Sequence, residues 1–259
     1  MVQRTYYRPE WTCGRYNDNA KVALMYNLIE GKSFFFESYS AMAIGEILSV
    51  HKNSEVSIAD ISDKLNIATE SLSPFFEQLE QLGLVSTILP TKDIICDYRS
   101  RISKHNLEFS HALDERSTKE KLPYITSNAE RLYTEKAGGI TSVMFELTYR
   151  CSEKCIHCYN IGATRNEEEK SQRGDREELS LDEYKQLIDD VYAQGLVKVC
   201  LTGGDPFSKS FVWEIIDYLY NKGIAFDVFT NGQSIIKDVE RLANYYPRLV
   251  GVSIYSGIA

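Results

Sequence analysis

From about Gly139 onward the chain alternates short, nearly continuous apolar runs with longer stretches of helical spacing. The runs VMFEL, KVCLT, AFDVF and LVGVSIY predict strands. Between them, LSLDEYKQLIDDVYAQG places Tyr184, Leu187, Ile188, Val191 and Tyr192 on one helical face, and Ser180 and Glu183 have the spacing of a capping box. A second helix is predicted from Phe211, Val212, Ile215, Ile216, Leu219 and Tyr220, with Gly223 as its stop, and IIKDVERLANYY predicts a third. Strand alternating with helix predicts an α/β fold with a parallel sheet. In such sheets ligands gather beyond the carboxyl ends of the strands.

The first 90 residues have a different texture. KVALMYN and SFFFES, joined by LIEGK, predict a hairpin. SYSAMAIGEIL follows with Ala41, Ile44 and Leu48 on one side of a helix. Ile58, Ile61 and Leu65 mark a short helix, while Leu72, Phe75, Phe76, Leu79 and Leu82 mark a longer one that Gly83 ends. Two small strands and three helices predict a small winged helix-turn-helix α+β domain over residues 1–90. From 91 to 137 the hydrophobic pattern thins and charges accumulate, among them Arg99, Arg101, Lys104, Glu115, Arg116, Lys119, Glu120 and Lys121. This predicts a charged linker with some helix, in which His105 and His111 read as solvated. Residues 138–259 are the strand-helix region.

Composition narrows the function. The 259 residues are 43% hydrophobic and 12% aromatic, enough to build a real core. A net charge of -8 and a pI near 5.2 argue against nucleic acid or an anionic membrane as partner, because both demand a basic surface. The chain has no apolar stretch of membrane-spanning length, and MVQRTYYRPEW lacks the apolar segment of a signal peptide, so the expectation is a cytoplasmic protein. Three of the six cysteines crowd into CSEKCIHC, and Cys13, Cys96 and Cys200 are scattered. That spacing points to a metal or redox site, with Cys200 in VKVCL reading as a small buried hydrophobe.

Cys151, Cys155 and Cys158 form C-x3-C-x2-C directly after the first predicted strand. Three thiolates on a [4Fe-4S] cube leave one iron open to an exchangeable ligand. The same residues with His157 would also make a Cys3His zinc site. The later strands carry LTGGDP, FTNG and SIYS at their ends, and a zinc module has no use for that series.

With these motifs in order, the region from about Thr141 to the end resembles the radical SAM superfamily, in particular its peptide-modifying maturases. The resemblance implies a [4Fe-4S] cluster on Cys151, Cys155 and Cys158 and S-adenosylmethionine at its open iron. His157 takes the place where the family has an aromatic residue against the adenine. LTGGDP is similar to the motif that holds the methionine amino group, carried here by Gly203, Gly204 and Asp205, with aspartate where glutamate is usual. Thr230, Asn231 and Ser253 match positions lining the ribose and methionine pocket. An electron donor such as flavodoxin or ferredoxin is implied as well. The family's catalytic domain is usually a partial (β/α)6 barrel, whereas four strands are predicted here before SIYSGIA ends the sequence. The expectation is a radical SAM barrel truncated after about four strands, without the C-terminal extension that carries auxiliary clusters.

The first region, about Arg8 to Pro90, resembles the leader-recognition domain known alone as the pyrroloquinoline-quinone chaperone. That resemblance implies a precursor peptide as partner, its leader adding as a strand beside Ser33 to Ser38 and packing on the helix from about Ser71 to Leu82. DNA binding fits poorly, because SLSPFFEQLEQLGL carries Glu77 and Glu80 and no Lys or Arg. The expected activity is modification of a ribosomally made peptide by crosslink, thioether or epimerisation. The alternatives are a radical SAM enzyme acting on a small molecule and a zinc-binding regulator without catalysis.

Overall fold

The computed structural model describes residues 4–97, 99–100, 128–153, 155, 158 and 178–254. They belong to two units, Met1–Gly138 and Gly139–Ala259.

In the first unit β1 (Tyr6–Tyr7) pairs with β5 (Glu55–Val56), and β2 (Thr12–Asn17), β3 (Val22–Asn27) and β4 (Lys32–Glu37) form an antiparallel sheet in that order. The expected hairpin is β3 and β4. Strand β2 was not expected, because TCGRYN lacks an apolar alternation; only its first two residues are buried. The strand expected from Ser33 to Ser38 ends at Glu37, since Ser38, with φ 55°, turns the chain into α1 (Ser38–Ser49). Helices α2 (Ile58–Leu65) and α3 (Thr69–Gln81) follow, and Gly83 at φ 65° closes α3 in a left-handed conformation.

Alternation along β3 splits this core in two. Ala23 and Met25 face Ile44 and Ile47 of α1 and Leu72, Phe76 and Leu79 of α3. Leu24 and Tyr26 point the other way and are buried as well. Helix α4 (Asn128–Ala137), from the stretch expected as linker, lies against β3 and β4, and its Tyr133 is fully buried.

In the second unit β6 (Ser142–Thr148), β7 (Lys198–Gly203), β8 (Ala225–Thr230) and β9 (Leu249–Val252) make a four-stranded parallel sheet in sequential order. Helices α5 (Leu181–Ala193), α6 (Val212–Asn221) and α7 (Val239–Ala243) connect the last three strands to their predecessors. Phe145, Leu147, Val199, Leu201, Phe226 and Val228 are alternate strand residues that share one core with Ile188, Ile215, Ile216 and Leu219. The predicted capping box of α5 is present in both directions between Ser180 and Glu183. The third predicted helix is broken: Ile236–Asp238 is a 3-10 turn and α7 spans only five residues. Its apolar residues do not share a face, since Ile235 and Leu242 are buried whereas Ile236 and Val239 are exposed. Among the described residues no helix is long and apolar enough to cross a membrane.

Candidate functional site

All the predicted site residues that are described lie beyond the carboxyl edge of the parallel sheet. Cys151, Cys155 and Cys158 follow β6, Gly203 to Asp205 end β7, Thr230 and Asn231 end β8, and Ser253 follows β9. His157 and Tyr255 lie outside the described residues, as do His105 and His111. Pairing of β6 with β7 shifts register between Glu146 and Thr148, an irregularity placed at the root of the cysteine loop.

Backbone contacts tie the cysteine loop to the glycine loop. The Gly204 N–H donates to Thr148 O at 2.7 Å, and the Asp205 N–H donates to Arg150 O at 2.9 Å. No side chain fits between them: a Cβ on Gly204 would lie 2.3 Å from Arg150 O, and one on Gly203, at φ +126°, would lie 2.4 Å from Thr148 O. The two glycines therefore allow two chain segments to meet backbone to backbone. Thr230 joins the third strand end to this pair, its Oγ1 donating to Asp205 Oδ1 at 2.6 Å. Asp205 is completely buried, and among the described residues its Oδ2 has no hydrogen-bond partner. A buried carboxylate oxygen left open is costly, and a cationic amine would satisfy it. The Ser253 N–H donates to Thr230 O at 2.9 Å, which brings the last strand end to the same edge.

The cysteine thiols differ in setting. Burial pushes Cys13 and Cys200 each up to about 11, as befits thiols used as small apolar groups. Cys151, Cys155 and Cys158 are half-buried on one loop and take part in no disulfide, with a Cys158 N–H to Cys155 O turn of 3.2 Å between the last two. Among the described residues no three His, Cys, Asp or Glu side chains are already grouped as a metal centre. What fits a [4Fe-4S] cluster is the donor set of three thiols beside a backbone cradle and an unsatisfied carboxylate oxygen.

Two residues that the sequence did not single out hold the loop root. Glu178 Oε1 accepts from Thr148 Oγ1 at 2.6 Å and from the Tyr149 N–H at 3.2 Å, while its Oε2 accepts from Lys209 Nζ at 2.8 Å. Thr148 Oγ1 in turn accepts the Arg150 N–H at 3.1 Å. Lys209 is buried, with its ammonium 4.7 Å from the centre of the Phe211 ring. The only signal in the sequence is a lysine between two aromatics in FSKSF, since a buried cation needs a carboxylate. Burial pushes the Glu178 carboxyl up, but hydrogen bonds from Lys209, Thr148 and the Tyr149 amide outweigh it and hold it below its ordinary value.

A depressed folded-state value means that this group stabilises the fold fully above its unfolded-state value near 4.5 and loses that contribution as pH falls through the lower folded value. Glu178→Gln is expected to cost roughly 1 kcal/mol at neutral pH, discounted because the Glu178 side chain is 30% exposed. The urea midpoint of the metal-free wild type should approach that of the variant as pH falls below 4.5. A constant gap between the two curves would show that the carboxylate does not act in this way.

Comparison with known proteins bears directly on this edge of the sheet. Residues 145–257 match the family model of the radical SAM superfamily. The mycofactocin maturase of Mycolicibacterium smegmatis is 32% identical over 95 residues, covering 37% of this chain and 22% of that protein. The Fe-coproporphyrin III synthase of Methanosarcina barkeri is 33% identical over 116 residues, 43% of this chain and 26% of that protein. The antilisterial bacteriocin subtilosin biosynthesis protein of Bacillus subtilis is 32% identical over 114 residues, 43% of this chain and 23% of that protein. The chain thus spans about a quarter of the length of these curated relatives. The stretch from 145 to 257, with its cysteine loop and glycine cradle at the carboxyl edge of a parallel sheet, is thus similar to the radical SAM superfamily.

Proposed function

We propose that this chain modifies a ribosomally made precursor peptide by radical chemistry. Cys151, Cys155 and Cys158 would hold the cluster. Gly203, Gly204 and Asp205 would receive the methionine end of S-adenosylmethionine, with His157, Thr230 and Ser253 around the remainder. When bound, the cluster and S-adenosylmethionine supply a 5′-deoxyadenosyl radical that takes a hydrogen atom from the substrate. The protein's part is to orient these groups and keep water away. The observation that carries the proposal is the backbone tie between cysteine loop and glycine loop, with no room for a side chain at Gly204.

A peptide as substrate is supported by two relatives, one named a maturase and one a bacteriocin biosynthesis protein. We place the binding of that peptide on the first unit. Strand β4 pairs with β3 on one side only among the described residues, so its other edge offers backbone groups to an added strand. Phe34 and Phe36 pack against the helical core, and Phe36 meets Phe75 of α3 edge to face at 6.1 Å. We read this unit as a winged-helix leader-recognition domain, with α3 as the second wall of the groove. Helix α3 carries Glu70, Glu77 and Glu80 and no basic residue, so phosphate backbones would be repelled. An electron donor of the flavodoxin or ferredoxin kind completes the proposed partners.

The match to a porphyrin synthase favours a second reading, a small-molecule substrate. One experiment separates the two. Synthetic peptides encoded by short open reading frames next to the gene are titrated against the full chain, then incubated with S-adenosylmethionine and reductant without oxygen. The peptide reading expects binding that Phe35→Pro in β4 abolishes, and a peptide mass change or deuterium uptake at an α-carbon. Radical cleavage of S-adenosylmethionine that no such peptide binds or stimulates would favour the small molecule.

A further inference from the structure

Asn231, which opens the turn after β8, is turned toward the cysteine loop 80 residues earlier in the chain. Its Nδ2 lies 3.3 Å from Cys151 Sγ and 3.1 Å from Ser152 Oγ. Its Oδ1 accepts the Gln233 N–H at 2.8 Å. A backbone N–H can only donate, so the atom facing it must be the amide oxygen, and the NH2 group necessarily faces the cysteine. Both amide protons are thereby engaged within the protein, which leaves none for a ribose hydroxyl. The position itself is well fixed. Thr230 Oγ1 donates to buried Asp205 and accepts the Gly232 N–H at 3.0 Å, and Gly232 takes φ +85°.

We propose that Asn231 is a hydrogen-bond donor to the thiolate of Cys151 and thereby raises the reduction potential of the bound cluster. The inference rests on the functional reading above. Reduction adds negative charge to the sulfurs, and an N–H aimed at one of them stabilises the reduced state more than the oxidised. Asn231 is thus a positioning residue that eases electron delivery; it is not a group that touches the substrate. The same hydrogen bond orients Cys151, as outer partners of metal ligands commonly do.

The test is a redox titration, followed by electron paramagnetic resonance, of the full chain reconstituted with iron and sulfide without oxygen. Asn231→Asp keeps an acceptor for the Gln233 N–H but has no donor, and Asn231→Leu is neutral and has neither. Both variants are expected to bind as much iron as wild type and to titrate at lower potential. At the wild-type midpoint the ratio of reduced to oxidised cluster should fall about tenfold, which is about 59 mV for a one-electron couple. If Asn231→Leu titrates with wild type, the inference is wrong, even where Asn231→Asp shifts through its charge. Wild type offers a second check that needs no variant: reduced cluster in protein labelled with 15N-asparagine should show a nitrogen coupling in pulsed resonance, and its absence overturns the inference. A wild type that assembles no cluster overturns the functional reading and this inference together, whereas an intact cluster with an unmoved potential overturns the inference alone.

Discussion

Alanine at Cys151, Cys155 or Cys158 is expected to give a folded chain that no longer retains an iron-sulfur cluster. The three thiols sit on a loop outside the apolar core of the second unit, so little burial is lost with them. Each one removed leaves a cube with two protein ligands, too few to hold it against solvent and chelators. The expected result is near-complete loss of bound iron and of the brown visible absorption, with a circular dichroism spectrum like that of wild type. Cys96→Ala and Cys200→Ala serve as controls, the first exposed and the second a buried thiol on β7. Both should keep their iron. A triplet variant with full iron, or a Cys96 variant without any, would contradict the ligand assignment.

Gly204→Ala should be nearly as damaging, by a different route. Its Cβ would meet Arg150 O at 2.3 Å, Arg150 C at 2.7 Å and Tyr149 O at 2.7 Å, all of them backbone atoms that no rotamer change can move. The loops must separate, and the hydrogen bonds from Gly204 and Asp205 to the cysteine loop break with them. Overpacking of this kind costs about 1–3 kcal/mol in stability. The larger effect falls on the site, where S-adenosylmethionine affinity is expected to drop at least tenfold, about 1.4 kcal/mol. Calorimetric titration of the reconstituted chain measures it. Gly31→Ala is the control, because it places a left-handed glycine's Cβ in open space and should cost only local strain of about 1 kcal/mol. Equal affinity in Gly204→Ala and wild type would show that the cradle takes no part in cofactor binding.

The sequence disclosed whatever its local pattern encodes. Four apolar runs became four parallel strands, whose alternate residues pack in one core with the connecting helices. Ser180 and Glu183 marked the start of α5 because a capping box lies within a single helical turn. Patterns depending on partners distant in sequence stayed hidden. TCGRYN pairs along one side of an apolar neighbour and needs no alternation of its own. Helix α4 is polar but for a few residues, and its Tyr133 is buried where the helix lies against β3 and β4. The predicted helix at IIKDVERLANYY failed because its apolar residues are many but not periodic about one face. In the site, the cysteines and glycines were visible as spacing. The Glu178 to Lys209 pair and the Asn231 amide on Cys151 join positions 31 and 80 residues apart, and no spacing rule reports such contacts.

Mössbauer spectroscopy of the full chain reconstituted with 57Fe without oxygen, before and after S-adenosylmethionine is added, addresses the central claim. A cubane cluster is predicted in which one iron alone changes its isomer shift when S-adenosylmethionine arrives. A colourless protein carrying stoichiometric zinc, or a cluster whose irons all ignore S-adenosylmethionine, would contradict it.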